Sequence, residues 1–183
     1  MNRLLTIGLA ILLSSCSVTS TNSDPVRTVA QVDLQRYLGT WYEIASFPMY
    51  FQKQCIADTQ AIYALRPDSE ISVHNSCTTE KGTDQADGIA KVIEHTNNAK
   101  LRVAFFRPFW GDYWIIGLDP DYRWAVVGTP NRDYLWLLSR TRQMDKPQLD
   151  LARDAARRQG FDLTRLHYTQ QSDAGAAVLG GMR

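Results

Sequence analysis

The sequence predicts an all-β protein: an eight-stranded antiparallel up-and-down β-barrel, with one C-terminal α-helix packed outside it and a short final strand. Three observations predict it. Eight successive runs are rich in β-branched or aromatic residues, and each gap between them carries Gly, Pro, Asn or Asp, the pattern of an antiparallel meander. One good helical period follows them, near the C-terminus. Between two ends that read as non-core lie residues 31–171, the length of one domain and enough for one core or for a barrel with a lumen. Closing a meander removes its sheet edges, and eight strands enclose room for side chains or one small ligand.

The chain opens with "MNRLLTIGLAILLSSC". One arginine, an apolar run from Leu4 to Leu13 and two small residues before a cysteine form a secretory signal over residues 1–15. A bilayer span needs about 20 apolar residues, so this run is too short to stay as a transmembrane helix. The end, "LSSC", resembles the lipobox of bacterial lipoproteins. That resemblance implies that Cys16 is acylated and becomes the first residue after cleavage, with Ser17 directing it to the outer membrane; a cleaved signal with an unmodified cysteine is the alternative. Each buried methylene contributes about 0.8 kcal/mol, and more than one chain gives stable anchoring. Residues 16–30 are polar, rich in Ser and Thr and without an apolar period, and are read as a flexible tether.

The strands follow in order: "TWYEIA", "IADTQAIYAL", "EISVHNSC", "ADGIAKVIEH", "KLRVAFFR", "DYWIIGL", "WAVVGT" and "YLWLLSR". In the first, Trp41, Glu43 and Ala45 share one face, with Tyr42, Ile44 and Ser46 on the other. "KLRVAFF" alternates most clearly, with Leu101, Val103 and Phe105 on one face and Arg102 and Ala104 on the other. "DKPQLDLARDAARRQGF" supplies the helix: Asp145 is its N-cap, Pro147 lies in the first turn, Leu149, Ala152, Ala155 and Ala156 share a face, and Gly160 stops it. "LHYTQQ" is the final strand. Residues 172–183, small and glycine-rich, are expected to be a disordered tail.

With Cys16 acylated, Cys55 and Cys77 remain as an even pair in an oxidising compartment, which favours a disulfide. They flank two strand-like runs joined by "RPDS". Facing residue numbers across that turn do not quite bring the two together, so a bulge or splayed end is required. Two free buried thiols are the alternative. No histidine lies near either cysteine in sequence, so nothing points to an activated thiol.

A net charge of +1 with scattered Lys and Arg excludes a strongly basic nucleic-acid surface. His74, His95 and His167 are isolated, without metal-ligand spacing. No phosphate loop or nucleophile elbow occurs. No metal, cofactor or catalytic residue is implied.

"LGTWYE" resembles the glycine-x-tryptophan signature of lipocalins, "LDPDYRWAVV" a variant of their second motif and "YLWLLSRT" their third. They occur in the family's order and at its places, across nearly the whole mature chain. The chain most resembles the bacterial outer-membrane lipoprotein lipocalins and the apolipoprotein D-like members of the family. "DPDY" stands where Thr-Asp-Tyr is more common, with Asp121 and Tyr122 matching.

This resemblance implies that Trp41 plugs the closed end of the barrel and that Arg140 stacks on it, a structural floor rather than a ligand site. With Arg140 inward, Leu138, Trp136 and Tyr134 point inward as well, climbing toward the open end. The resemblance also implies that Tyr63, Asn75, Phe105 and Trp136 line a pocket, with Leu101, Val103 and Leu138 on or near the same inner face. The aromatic stretch "FRPFWGDYW" is expected at the mouth, with Phe109, Trp110 and Tyr113 lining it, contacting a membrane or pairing with a second subunit.

The expected protein is thus a lipid-anchored lipocalin facing the periplasm from the outer membrane, holding a fatty acid or lysophospholipid. A homodimer through the open end is one option, and nucleic acid is excluded as a partner. Two other classes are weighed. A lipocalin-fold enzyme would need a reactive group in the barrel, and Cys77 is the candidate. A membrane-spanning barrel would need an apolar outer face, yet Arg102, Lys91 and Glu94 place charges on the strands at mid-depth.

Overall fold

The alternation read from the sequence does close into a barrel. The computed structural model describes residues 24–173; the signal segment 1–15, Cys16 and residues 174–183 of the expected tail lie outside the described residues. A one-turn helix α1 (Leu34–Tyr37) precedes β1 (Gly39–Ser46), β2 (Ala57–Leu65), β3 (Ile71–Thr79), β4 (Gly82–Val92), β5 (Lys100–Phe106), β6 (Phe109–Leu118), β7 (Trp124–Gly128) and β8 (Leu135–Ser139). The helix α2 (Lys146–Arg158) and a two-residue strand β9 (His167–Tyr168) follow. Each strand from β1 to β8 pairs with its sequence neighbour, β9 adds to β1, and β1 pairs with both β8 and β2, which closes the barrel.

Two hairpins are tighter than the sequence suggested. The β3–β4 connection needs only Glu80 and Lys81, because Thr79 Oγ1 accepts from the Lys81 N–H and donates to the Gly82 carbonyl. β6 begins at Phe109, so most of "PFWG" is strand rather than turn.

Inward and outward residues form two separate cores. Trp41, Ile115, Val127 and Leu138 fill the interior. Leu135, Leu137, Val126 and Phe47 lie under α2, whose Ala152, Ala155 and Ala156 are buried against them. Small helix residues let the axis approach the sheet closely: a Cβ at Gly117 would sit 2.8 Å from that of Ala155. Asp145 caps α2 by accepting from the Gln148 N–H at 2.8 Å. The face assignment of β1 requires one correction. A bulge between Glu43 and Ala45 shifts the register against β8, so Glu43 lies opposite Leu138 while Ala45 lies opposite Leu137 under the helix. Trp41 and Glu43 face inward, and Ala45 does not.

Cys55 and Cys77 form a disulfide with a Cα–Cα distance of 5.6 Å. The register irregularity it required is present, as a shift between Ala57 and Gln60 in the β2–β3 ladder.

Ordered contacts continue on both sides of residues 31–171. Val26 is buried beside α2, the Val29 N–H donates to the Ile115 carbonyl at 2.9 Å, and Arg132 donates to the Asp24 carbonyl. Val26 and Val29, within the stretch read as a tether, recur with Val32 at every third position. At the other end, the β1–β2 ladder runs only to Tyr42 and Gln60. Beyond it the chain after β9 fills the seam. Gln171 Nε2 donates to the carbonyls of Glu43 (2.9 Å) and Thr59 (2.8 Å), and the Asp58 N–H donates to the Gln170 carbonyl (2.8 Å). Ser172, assigned to the tail, donates to the Asp58 carboxylate through its N–H at 2.8 Å and its hydroxyl at 2.7 Å.

The closed end is sealed by α1, the 119–123 turn and Arg140. Asp33 caps α1, accepting from the N–H groups of Gln35 and Arg36, and its own N–H donates to Tyr122 Oη at 2.8 Å. The turn is built on buried Asp119, which accepts from the backbone of Asp121 and Arg123 and from the Arg123 guanidinium. Asp121 and Tyr122 occupy the turn that Asp119 organises. The Arg140 guanidinium lies 3.8 Å from the Trp41 ring centroid and donates to the carbonyls of Thr40 (2.8 Å), Arg36 (2.5 Å) and Tyr122 (3.3 Å).

Two outcomes follow. R140A is expected to lower stability by about 3 kcal/mol and R140K by less, since the ammonium keeps the charge but not the fork; urea midpoints for the two variants measure this. Burial pushes the Asp58 carboxyl up, but hydrogen bonds from Ser172 and Thr78 and the Arg142 charge outweigh it and hold the group below the usual carboxylate range. Its contribution is therefore present above the unfolded value near 3.9 and is lost as the pH falls through the lowered folded value. The melting-temperature gap between the wild type and D58N should be constant well above that unfolded value and shrink as the pH falls below it.

Candidate functional site

Inward-facing wall residues enclose a cavity of about 610 Å³, open at one end, within the range of small-molecule sites. Its base is Trp41, fully buried, whose indole N–H donates to the Tyr37 carbonyl at 2.8 Å. Beside it three tyrosines form a hydroxyl chain: Tyr63 Oη donates to Tyr113 Oη at 3.1 Å, and Tyr113 Oη and Tyr37 Oη lie 2.8 Å apart. Burial pushes the Tyr63 hydroxyl up to about 12, with the Tyr113 hydrogen bond opposing it. Tyr37 and Tyr113 are also raised, first by burial and then by neighbouring tyrosines. All three are neutral near pH 7 and act as hydrogen-bonding groups.

The residues named from sequence divide into three sets. Tyr63, Asn75, Val103, Phe105, Trp136 and Leu138 line the cavity. Phe105 lies over Gly88, where a Cβ would come within 2.8 Å of its ring. Leu101 does not line it. Its side chain packs below the tyrosines against Leu34, Leu38 and Ile71, around a residual space of about 10 Å³. The third set is the mouth. Phe109 is 74% exposed and Trp110 36%, both on the rim. Tyr113 is not a mouth residue: with Gly111 and Tyr113 inward on β6, its ring points into the barrel and its hydroxyl reaches the floor. The stretch was read as a turn, and the parity of a strand was not applied to it.

Other contributors were not identified from sequence. A 3-10 turn, Tyr50–Gln52, follows β1 and forms the opposite lip. Tyr50, Phe51, Tyr134 and Trp136 continue as a series of ring contacts, at centroid distances of 5.2, 5.8 and 6.1 Å, from the lip down the wall. The aromatic pair in "FPMYFQ" was the available signal. Tyr37 belongs to the short helix that Asp33 caps, and Asp33 was its sequence mark.

Two polar features of the lumen stand out from its apolar walls. Glu43 is 4% exposed and inward-facing, and its carboxylate accepts from Ser46 Oγ (3.2 Å), Gln52 Nε2 (2.9 Å) and Thr169 Oγ1 (2.5 Å). Asn75 Oδ1 is buried without a hydrogen-bond partner among the described residues. Those residues also contain no cluster of three or more His, Cys, Asp or Glu able to hold a metal. His74 pairs with Asp87 across β3–β4, away from the lumen, at 2.7 Å.

Residues 32–171 match the family model for the lipocalin-like domain. The chain is 40% identical over 161 residues to temperature-induced lipocalin-1 of Arabidopsis thaliana, covering 84% of this chain and 87% of that protein. It is 39% identical over 164 residues to the outer membrane lipoprotein Blc of Escherichia coli K12, covering 88% and 92%. Among solved structures, insecticyanin from the tobacco hornworm Manduca sexta superposes with a TM-score of 0.67 at 20% identity, over 81% of this chain and 86% of that one. That last likeness concerns the fold alone.

Of the eight tyrosines in the chain, the three of the hydroxyl chain should stay silent in an ultraviolet titration above pH 10 until the fold opens. Because unfolded tyrosines ionise near 10, the raised folded values make stability full below that pH and falling above it. Y113F, which removes the central hydroxyl, should cost about 1–3 kcal/mol in urea unfolding.

Proposed function

The chain belongs to the lipocalin family, and from that premise we propose that it binds one small hydrophobic ligand in its barrel, a fatty acid or lysophospholipid, and stores or transports it at the bacterial outer membrane. The single observation that carries this reading is the open cavity of about 610 Å³ with aromatic and apolar walls. An acyl chain entering it would lose water contact over most of its length, worth about 25 cal/mol per Å² before ordering and desolvation costs. Tyr63, Val103, Phe105, Trp136 and Leu138 would contact the chain, and Asn75 Oδ1 would receive a hydroxyl or amide donor.

The acylated Cys16 would hold the barrel at the membrane, facing the periplasm. The likeness to a protein named as an outer membrane lipoprotein supports this location. The exposed rim of Phe106, Phe109 and Trp110 would serve the open end, as a membrane contact or as the interface of a homodimer. The reading is of a carrier without catalysis. The enzyme alternative loses its thiol version, because Cys77 is bonded to Cys55.

Native mass spectrometry of the protein is expected to retain a single-chain lipid, and a fluorescent fatty acid should bind with an affinity that W136A lowers by about tenfold. Absence of both co-purified lipid and probe binding would overturn the reading.

A further inference from the structure

The charged residues in the lining of the lumen are of one sign. Two charged residues line it, Glu43 and Asp112, and among the described residues no lysine or arginine does. Asp112 lies opposite Arg102 in the β5–β6 ladder, on the outward parity. Glu43 therefore supplies the charge that the wall turns inward. Three groups bond to it, Ser46 Oγ, Gln52 Nε2 and Thr169 Oγ1, and each donates to the carboxylate oxygens.

Its surroundings are aromatic. Ser46, which donates to the Glu43 carboxylate, is the β1 partner of Trp136 in the β1–β8 register. Trp136 is stacked with Tyr134 at an interplanar angle of 21°, so π-faces and a carboxylate occupy adjacent steps of one wall. π-Faces attract a positive charge most strongly when it is desolvated, and the same low dielectric magnifies repulsion of a second anion. We propose that the upper wall of the lumen is a subsite for an ammonium group, with Glu43 as its counter-charge and Trp136 and Tyr134 as its aromatic faces. The barrel then prefers single-chain amphiphiles with an ammonium head over those with a carboxylate head.

The proposal rests on the ligand-binding reading above and is tested so that the two can fail separately. Dodecyltrimethylammonium, dodecanoate and dodecanol, below their micellar concentrations, are titrated into the purified protein and followed by tryptophan fluorescence. The expected order is ammonium, alcohol, carboxylate, with about tenfold or more between the first and the last. In E43Q this ratio should narrow to within about threefold, a change that a purely structural role for Glu43 in the seam would not produce. The wild-type series stands even if E43Q does not fold. Dodecanol binding with dodecanoate as tight as the ammonium, or an unchanged ratio in folded E43Q, overturns the subsite alone. Failure of all three probes to bind overturns the ligand-binding reading and the subsite together.

Discussion

The Arg140 guanidinium donates to carbonyls of Arg36, Thr40 and Tyr122 and covers the Trp41 ring. Those carbonyls come from the helix before the barrel, the first strand and the turn before the seventh. A planar fork can satisfy three acceptors at once, which a single ammonium point cannot do in the same geometry. The contact makes one end of the barrel solid, so the lumen has a bottom. With a bottom in place, side chains higher on the same strands are free to point at space, because they are not needed to fill the core. The cavity above Trp41 is thus a consequence of how completely the floor is closed.

The walls carry a complementary constraint. A barrel made from a meander must join its first strand to its last, and here β1 has three neighbours rather than two. The lower half of β1 pairs with β2 and the upper half with β9 and the chain just after it, with Gln171 bridging the splayed strands. The bulge in β1 belongs to the same solution. It turns Ala45 under the helix and leaves Glu43 and Ser46 on the inner side, where their polar groups bond to each other and to the seam. A carboxylate can face an apolar lumen here because donors from three segments surround it.

Much of this was legible in the sequence because it follows from local periodicity. Strand count and the helix with its Asp145 cap follow from spacing, whereas the Trp41–Arg140 floor, and with it the inward direction of Tyr134, Trp136 and Leu138, came from the resemblance to lipocalins. What escaped depends on contacts between distant segments. Tyr113 was placed at the mouth because a cluster of aromatics around Pro108 and Gly111 looks like a turn, although the two-residue period of β6 carries it inward. Leu101 has the correct parity but the wrong depth, since depth depends on barrel shear and not on alternation. Val26, Val29 and Ser172 have no local signal of order, because each is held by a partner elsewhere in the chain.

The seam has a bearing on the history of the molecule as well as on its shape. Asp58, near the start of β2, is tied to Ser172, a sequence separation of 114 residues. Contacts that join distant parts of a chain form late, because the intervening loop must first be ordered. The upper part of the β1–β2 seam therefore closes only once residues 170–172 are in place, after the lower part has been joined by the β1–β2 ladder. The last contacts to form thus seal the container beside Glu43, on the wall where the lumen carries its buried carboxylate.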